Sequence, residues 1–212
     1  MSAKSIIILL IGVIILMVGT NLYSLWYINR LTDDLLTTTK TALPAVYHAS
    51  DMNTNVSDYR IREWRHYLTL NPDSLRNEER AAEEEMNRAT LHLEELRTLI
   101  PPTTSENALR FKAEALFSQY LQRSGTFFSL SRSTTTKGQA LNLMYGELRK
   151  EYDDLSEILA ALVRSTADAA QKRLAWYEEN IRITRLILLA VIIGAALVSI
   201  GVVYFLVHSF HR

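Results

Sequence analysis

Charged residues are absent from two stretches of the chain, Ser5 to Ile28 and Leu186 to Val207, of 24 and 22 residues. At about 1.5 Å of helical rise per residue each reaches roughly 33–36 Å, enough for a hydrocarbon core of about 30 Å. Trp26 and Tyr27, and Tyr204 and Phe205 at the other end, stand where interfacial aromatic anchors belong. The first stretch is not read as a cleavable leader: its apolar part is long, and bulky residues from Asn21 to Tyr27 replace a small-residue cleavage site. The pattern predicts two membrane spans, 5–28 and 183–207, with tails at 1–4 and 208–212.

Residues 29–182 lie between the spans. They read as helices, cut where breakers cluster: Asn71-Pro72-Asp73, Pro101-Pro102-Thr103-Thr104 and Thr134–Gly138. Asn71 suits a cap ahead of Pro72, and Thr103 with Glu106, then Thr136 with Gln139, fit capping boxes. Apolar positions recur at steps of three and four. The second piece is the cleanest, running from Leu75 through Ala82, Met86, Ala89, Leu93 and Leu96 to Ile100, with Glu79 its one polar member. The third carries Leu109, Ala113, Phe117, Tyr120 and Phe127, and the fourth Met144, Leu148, Leu155, Leu159 and Leu162. The first (Leu35, Ala42, Val46, Ala49, Val56, Tyr67 and Leu70) is broken by Asn53 and Glu63. Such stripes joined by short turns predict an all-α, antiparallel up-down four-helix bundle. No breaker but Pro44 parts the first span from the first bundle helix, and none parts the fourth helix from the second span. Helices 1 and 4 are therefore expected to run into the membrane, with Pro44 bending the chain and not ending the helix.

Composition narrows function. Basic and acidic residues balance at 23 each, which excludes nucleic-acid binding through bulk positive charge. The absence of cysteine excludes disulfide scaffolds, thiolate metal sites and a cysteine nucleophile. No glycine-rich phosphate loop, G-x-S-x-G or H-E-x-x-H is present, and Glu63-Trp-Arg-His66 is a lone Glu-x-x-His, so neither an enzyme nor a cofactor is expected. His208 and His211 share a helix face but have no carboxylate beside them, and no metal site is expected. The segment 29–182 holds every acidic residue and 20 of the 23 basic ones. Lys4 and Arg212 favour the cytoplasm for the tails, which puts the bundle outside.

A short tail, a span, a bundle of about 150 residues and a second span: this order resembles the ligand-sensing region of methyl-accepting chemotaxis receptors of the four-helix-bundle type. Asn29 and Leu43-Pro44 look like that family's membrane-proximal helix 1. The run Asp58-Tyr-Arg-Ile-Arg-Glu-Trp-Arg-His-Tyr is similar to its arginine-bearing stretch. The resemblance implies a homodimeric sensor in the bacterial inner membrane, its bundle periplasmic, passing a helix displacement inward. The chain ends at His208–Arg212, where that family continues into a HAMP linker and a signalling hairpin, so both are expected to be lacking.

The resemblance also implies a site. Arg62 and Arg65, three apart, share a helix face while Arg60 points elsewhere; they become a clamp for a ligand carboxylate, which guanidinium forks match bidentately. Trp64 is added beside them for stacking, and Tyr145 and Arg149, at the same level on the fourth helix, close the pocket. Ala190 with Gly194 and Ala195 with Ser199 allow close helix approach in the second span. The alternative is a membrane scaffold or accessory subunit that binds another membrane protein through the bundle.

Overall fold

A computed structural model describes residues 3–210. Met1, Ser2, His211 and Arg212 lie outside it, and with them the outer ends of both expected tails and the His208/His211 pair. The described residues are helical, without strands: α1 (Ala3–Leu68), α2 (Pro72–Leu99), α3 (Ser105–Ser131), α4 (Lys137–Tyr145) and α5 (Glu147–Phe210). This is the expected all-α, four-helix architecture, with long apolar helices at both ends of the chain. Helix α1 passes through Pro44 without ending.

The breakers act where expected, though not always by the expected chemistry. Asn71 is extended (φ −79°, ψ 125°), and its Oδ1 accepts from Asp73 N at 2.8 Å and Ser74 N at 3.2 Å, ahead of Pro72. The two capping boxes do not form. The cap of α3 is Thr104, not Thr103, and its hydroxyl donates to the Pro101 carbonyl at 3.0 Å. Thr136 does cap α4, but its hydroxyl donates to Leu130 O at 2.6 Å, closing the turn instead of the helix. The fourth helical segment is not continuous either. It is interrupted at Gly146 (φ −95°, ψ −109°), whose N–H bonds Asn142 O at 3.0 Å. A Cβ there would stand 3.0 Å from that carbonyl, a contact that backbone cannot easily relieve.

The chain divides into two compact units. Residues 38–171 form the bundle. Its core stacks Ala49, Met52 and Val56 of α1, Leu93 and Leu96 of α2, Phe117, Tyr120 and Phe127 of α3, Met144 of α4, and Leu148, Leu155, Leu159 and Leu162 of α5, each at most 4% exposed. The stripes of the last three pieces run as the periodicity predicts. That of α1 is shifted: Ala45, Ala49, Met52, Val56 and Tyr59 are buried, Leu70 is exposed, and the stripe continues through Glu63 and His66, both fully buried. In the acidic run, Glu83 and Glu84 face solvent but Glu85 is buried beside Arg88.

The second unit comprises residues up to 37 and from 172. Large apolar side chains there lie open, among them Ile15, Leu22, Leu186, Ile193 and Leu197. Such exposure suits hydrocarbon and not water, and both helices are long and apolar enough to cross a membrane. At the polar end, Tyr27 Oη donates to Asn180 Oδ1 at 2.8 Å, and the Arg30 guanidinium lies 5.7 Å from the Trp26 ring centroid, an arrangement suited to a headgroup layer.

Leu159→Ala, which empties a fully buried position, is expected to destabilise the bundle by about 2–5 kcal/mol, whereas Leu91→Ala on the surface changes stability by about 0.5 kcal/mol or less. Denaturant midpoints of the two variants check this.

Candidate functional site

The charged tract of α1 has two faces. Arg60, Glu63 and His66, three apart, continue the buried stripe. Arg62, Trp64 and Arg65 do not.

On the inner face, Glu63 is wholly enclosed. Its Oε2 accepts from Arg60 Nη1 at 2.8 Å and from Tyr120 Oη at 2.9 Å, while Oε1 makes no hydrogen bond. Burial raises the carboxyl above its usual range against the pull of Arg60. Burial likewise raises Tyr120, and Tyr59, whose Oη lies 2.7 Å from Ser124 Oγ. Arg60 spends its other terminal nitrogen on the Met144 carbonyl at 2.7 Å, two residues before the interruption at Gly146. One guanidinium thus ties α1 to α4.

His66 heads a second cluster. Its Nδ1 lies 2.5 Å from Ser131 Oγ and its Nε2 2.9 Å from Glu79 Oε1, and Glu79 is gripped by Arg132 through Nε at 2.7 Å and Nη2 at 3.0 Å. Burial holds His66 below the usual histidine range, opposed by Glu79; Arg132 holds Glu79 below the usual carboxylate range. Serine, histidine and carboxylate stand in a row, as in a nucleophilic relay, with Ser131 buried at 3% exposure. The row ties α1, α2 and α3 together. Among the described residues, no three histidine, aspartate or glutamate side chains are grouped to hold a metal ion.

The five residues singled out from sequence do not all come together. Trp64, Tyr145 and Arg149 come together around a cleft of about 230 Å³, with Arg60, Met144, Tyr152 and Asp153 in its wall. The Trp64 and Tyr145 rings meet edge-on at 5.4 Å, and Arg149 Nε is 3.5 Å from Asp153 Oδ2. Arg62 lines no part of this cleft; it pairs with Glu78 of α2 at 3.3 Å. Arg65 is exposed. Arg60, expected from its position to point elsewhere, both lines the cleft and reaches into the core. The signal for its role was the phase of Glu63 and His66, which continue the spacing of Val56 and Tyr59.

A bundle of this order, joined to two helices fit to cross a membrane and bearing a cleft at one end, has the anatomy of a membrane-anchored sensory domain. Residues 5–175 match the four-helix-bundle sensory module for signal transduction, and the chain belongs to that family. No curated protein and no solved structure matches it.

Glu79 makes its contribution above the ordinary carboxyl value of about 4.3, and that contribution is lost as pH falls through its lower folded value. Glu79→Gln is therefore expected to flatten the fall of stability at acid pH, which denaturant titrations at stepped pH below about 4.5 will detect.

Proposed function

We propose that the chain is a chemoreceptor-type transmembrane sensor whose bundle stands outside a bacterial cytoplasmic membrane and binds a small molecule. The cleft between Trp64 on α1 and Tyr145 and Arg149 beside the Gly146 interruption carries this reading. It offers an aromatic wall and the Arg149 guanidinium, whose Nε stands 3.5 Å from the exposed Asp153 carboxylate. A ligand carboxylate displaces that weak pairing at little cost, since an exposed ion pair contributes about 1 kcal/mol at most.

The same reading has the sensor act as a homodimer. Helix α1 exposes Leu43, Tyr47, Ile61 and Leu68 at spacings that keep them on one side of the helix, with Ser50, Thr54 and Arg65 exposed between them. A second copy laid along this stripe brings its Arg65, and Arg62 beside it, toward a ligand held by its partner. Binding signals only by favouring one arrangement of helices over another. Arg60 supplies the means, because it lines the cleft and also holds the Met144 carbonyl. The displacement then travels along the helices that carry the apolar stretches and is read as a chemotaxis-type signal. Catalysis has no part in this reading.

Thermal unfolding of the full chain in nanodiscs, against amino acids, organic acids and aromatic acids, tests it. A ligand at 100 times its dissociation constant adds about 2.7 kcal/mol, a shift of several degrees. Arg149→Ala and Arg65→Ala are each expected to abolish that shift. A shift that survives Arg65→Ala confines the site to one protomer; one that survives both removes the site from this cleft. No shift with any compound, in a folded dimeric sample, favours a protein partner and an accessory role. For the dimer, Tyr47→Cys in this cysteine-free chain is expected to give a disulfide-linked pair on mild oxidation, and persistent monomer on a non-reducing gel contradicts it.

A further inference from the structure

Away from the cleft, His48 of α1 and His92 of α2 meet ring to ring. Their Nδ1 atoms are 2.9 Å apart and their centroids 5.2 Å, with Tyr47 edge-on to both rings at 5.0 and 6.0 Å. Both imidazoles are half-buried. A hydrogen bond between two imidazole nitrogens needs one N–H and one bare nitrogen. It survives in the neutral pair and in the pair that holds one extra proton. It cannot survive a second, when two N–H groups and two positive charges face each other across the helix contact.

The charged groups acting on His92 are Asp51 on α1, whose Oδ2 lies 3.9 Å from the outer His92 Nε2, and Glu95 on α2. Both favour charge on that ring, and neither relieves the clash between the inner nitrogens. We propose that His48 and His92 make the bundle a sensor of external proton concentration: acidification adds the second proton, breaks the Nδ1–Nδ1 bond and loosens α1 from α2 at this level. This stimulus rests on the proposed placement of the bundle outside the membrane but needs no occupant in the Trp64–Tyr145 cleft, so it stands or falls apart from the small-molecule reading.

Energetics give the direction. Burial and the charge of His48 hold His92 below the usual histidine range, against Asp51 and Glu95. The unfolded chain then takes up the proton more readily than the folded one. The contact's contribution is whole above about pH 6.5, the ordinary histidine value, and is lost as pH falls below it. The low value of buried His66 pulls the same way, so a fall in overall stability does not single out this pair.

The test therefore follows the five histidines one by one. The full chain in nanodiscs, with isotope-labelled imidazoles assigned through single substitutions, is titrated by NMR from about pH 8 to about pH 4.5, and amide exchange is followed in parallel. The Nδ1–Nδ1 pair is expected to take up its protons in two linked steps and not as two independent sites. Once the second proton binds, intrinsic-rate-corrected exchange in segments 45–52 and 88–96 is expected to rise about tenfold or more. In His48→Gln, and separately in His92→Gln, the remaining histidine titrates in one step and that rise disappears. Independent single-step titration of both in the unsubstituted chain, or exchange that stays level through the second step, overturns the proposal.

Discussion

A carboxylate stripped of water has to find its donors in the protein. Glu63 finds two, Arg60 Nη1 and Tyr120 Oη, both on the same oxygen, while its other oxygen makes no hydrogen bond. Desolvating charged groups costs several kcal/mol each, and the return depends on geometry, so neither partner is free to leave. Arg60 in turn is committed to the Met144 carbonyl. Three helical segments are thereby held in register at one end of the bundle by a single chain of polar contacts. Apolar packing is the more tolerant of exchange among side chains of similar volume. Where burial and polarity coincide, the alternatives are few.

That constraint decides what the rest of α1 can do. With Arg60, Glu63 and His66 turned inward, the residues between them must face outward: Trp64 toward Tyr145, Arg62 toward Glu78, Arg65 to the surface. The cleft is consequently built directly on the buried network, and Arg60 belongs to both. The fourth helical segment breaks at Gly146, within a residue or two of the carbonyl that Arg60 holds and of Tyr145 in the cleft wall. The cleft and the packing of the helices meet at one guanidinium, the local condition that the proposed response to a ligand requires.

Much of this was legible from the residues. The apolar stretches, the breakers at Pro72, at Pro101-Pro102 and after Thr134, and the stripes from Leu93 to Ile100 and from Leu148 to Leu162 all obey helical period and turn chemistry, which are local. The α1 stripe was misread because its buried positions include Glu63 and His66, and a polar residue on a core face is invisible to a hydrophobic period. The break at Gly146 was missed for a related reason: one glycine amid good helix formers gives no signal of its own, and what satisfies the carbonyl nearby is an arginine 84 residues away. The two capping boxes failed likewise, although Asn71 caps α2 as expected. Thr104 and Thr136 carry the right side chain, but carbonyls of the preceding turn competed for their hydroxyls. Of the candidate site, proximity on one helix drew attention to Trp64, while the companionship of Trp64 with Tyr145 and Arg149 around one cleft rested on their shared level in the bundle and not on any motif.

Arg60 and Glu63 act as one buried unit. A double-mutant cycle over Arg60→Met and Glu63→Met, read by denaturant unfolding of the full chain, measures this directly. Each single change is expected to cost about 3–5 kcal/mol because it strands its partner, and the double change should cost less than their sum by about 2 kcal/mol or more. Additive costs would mean that the two side chains do not depend on each other, and the inward face of α1 described here would be wrong.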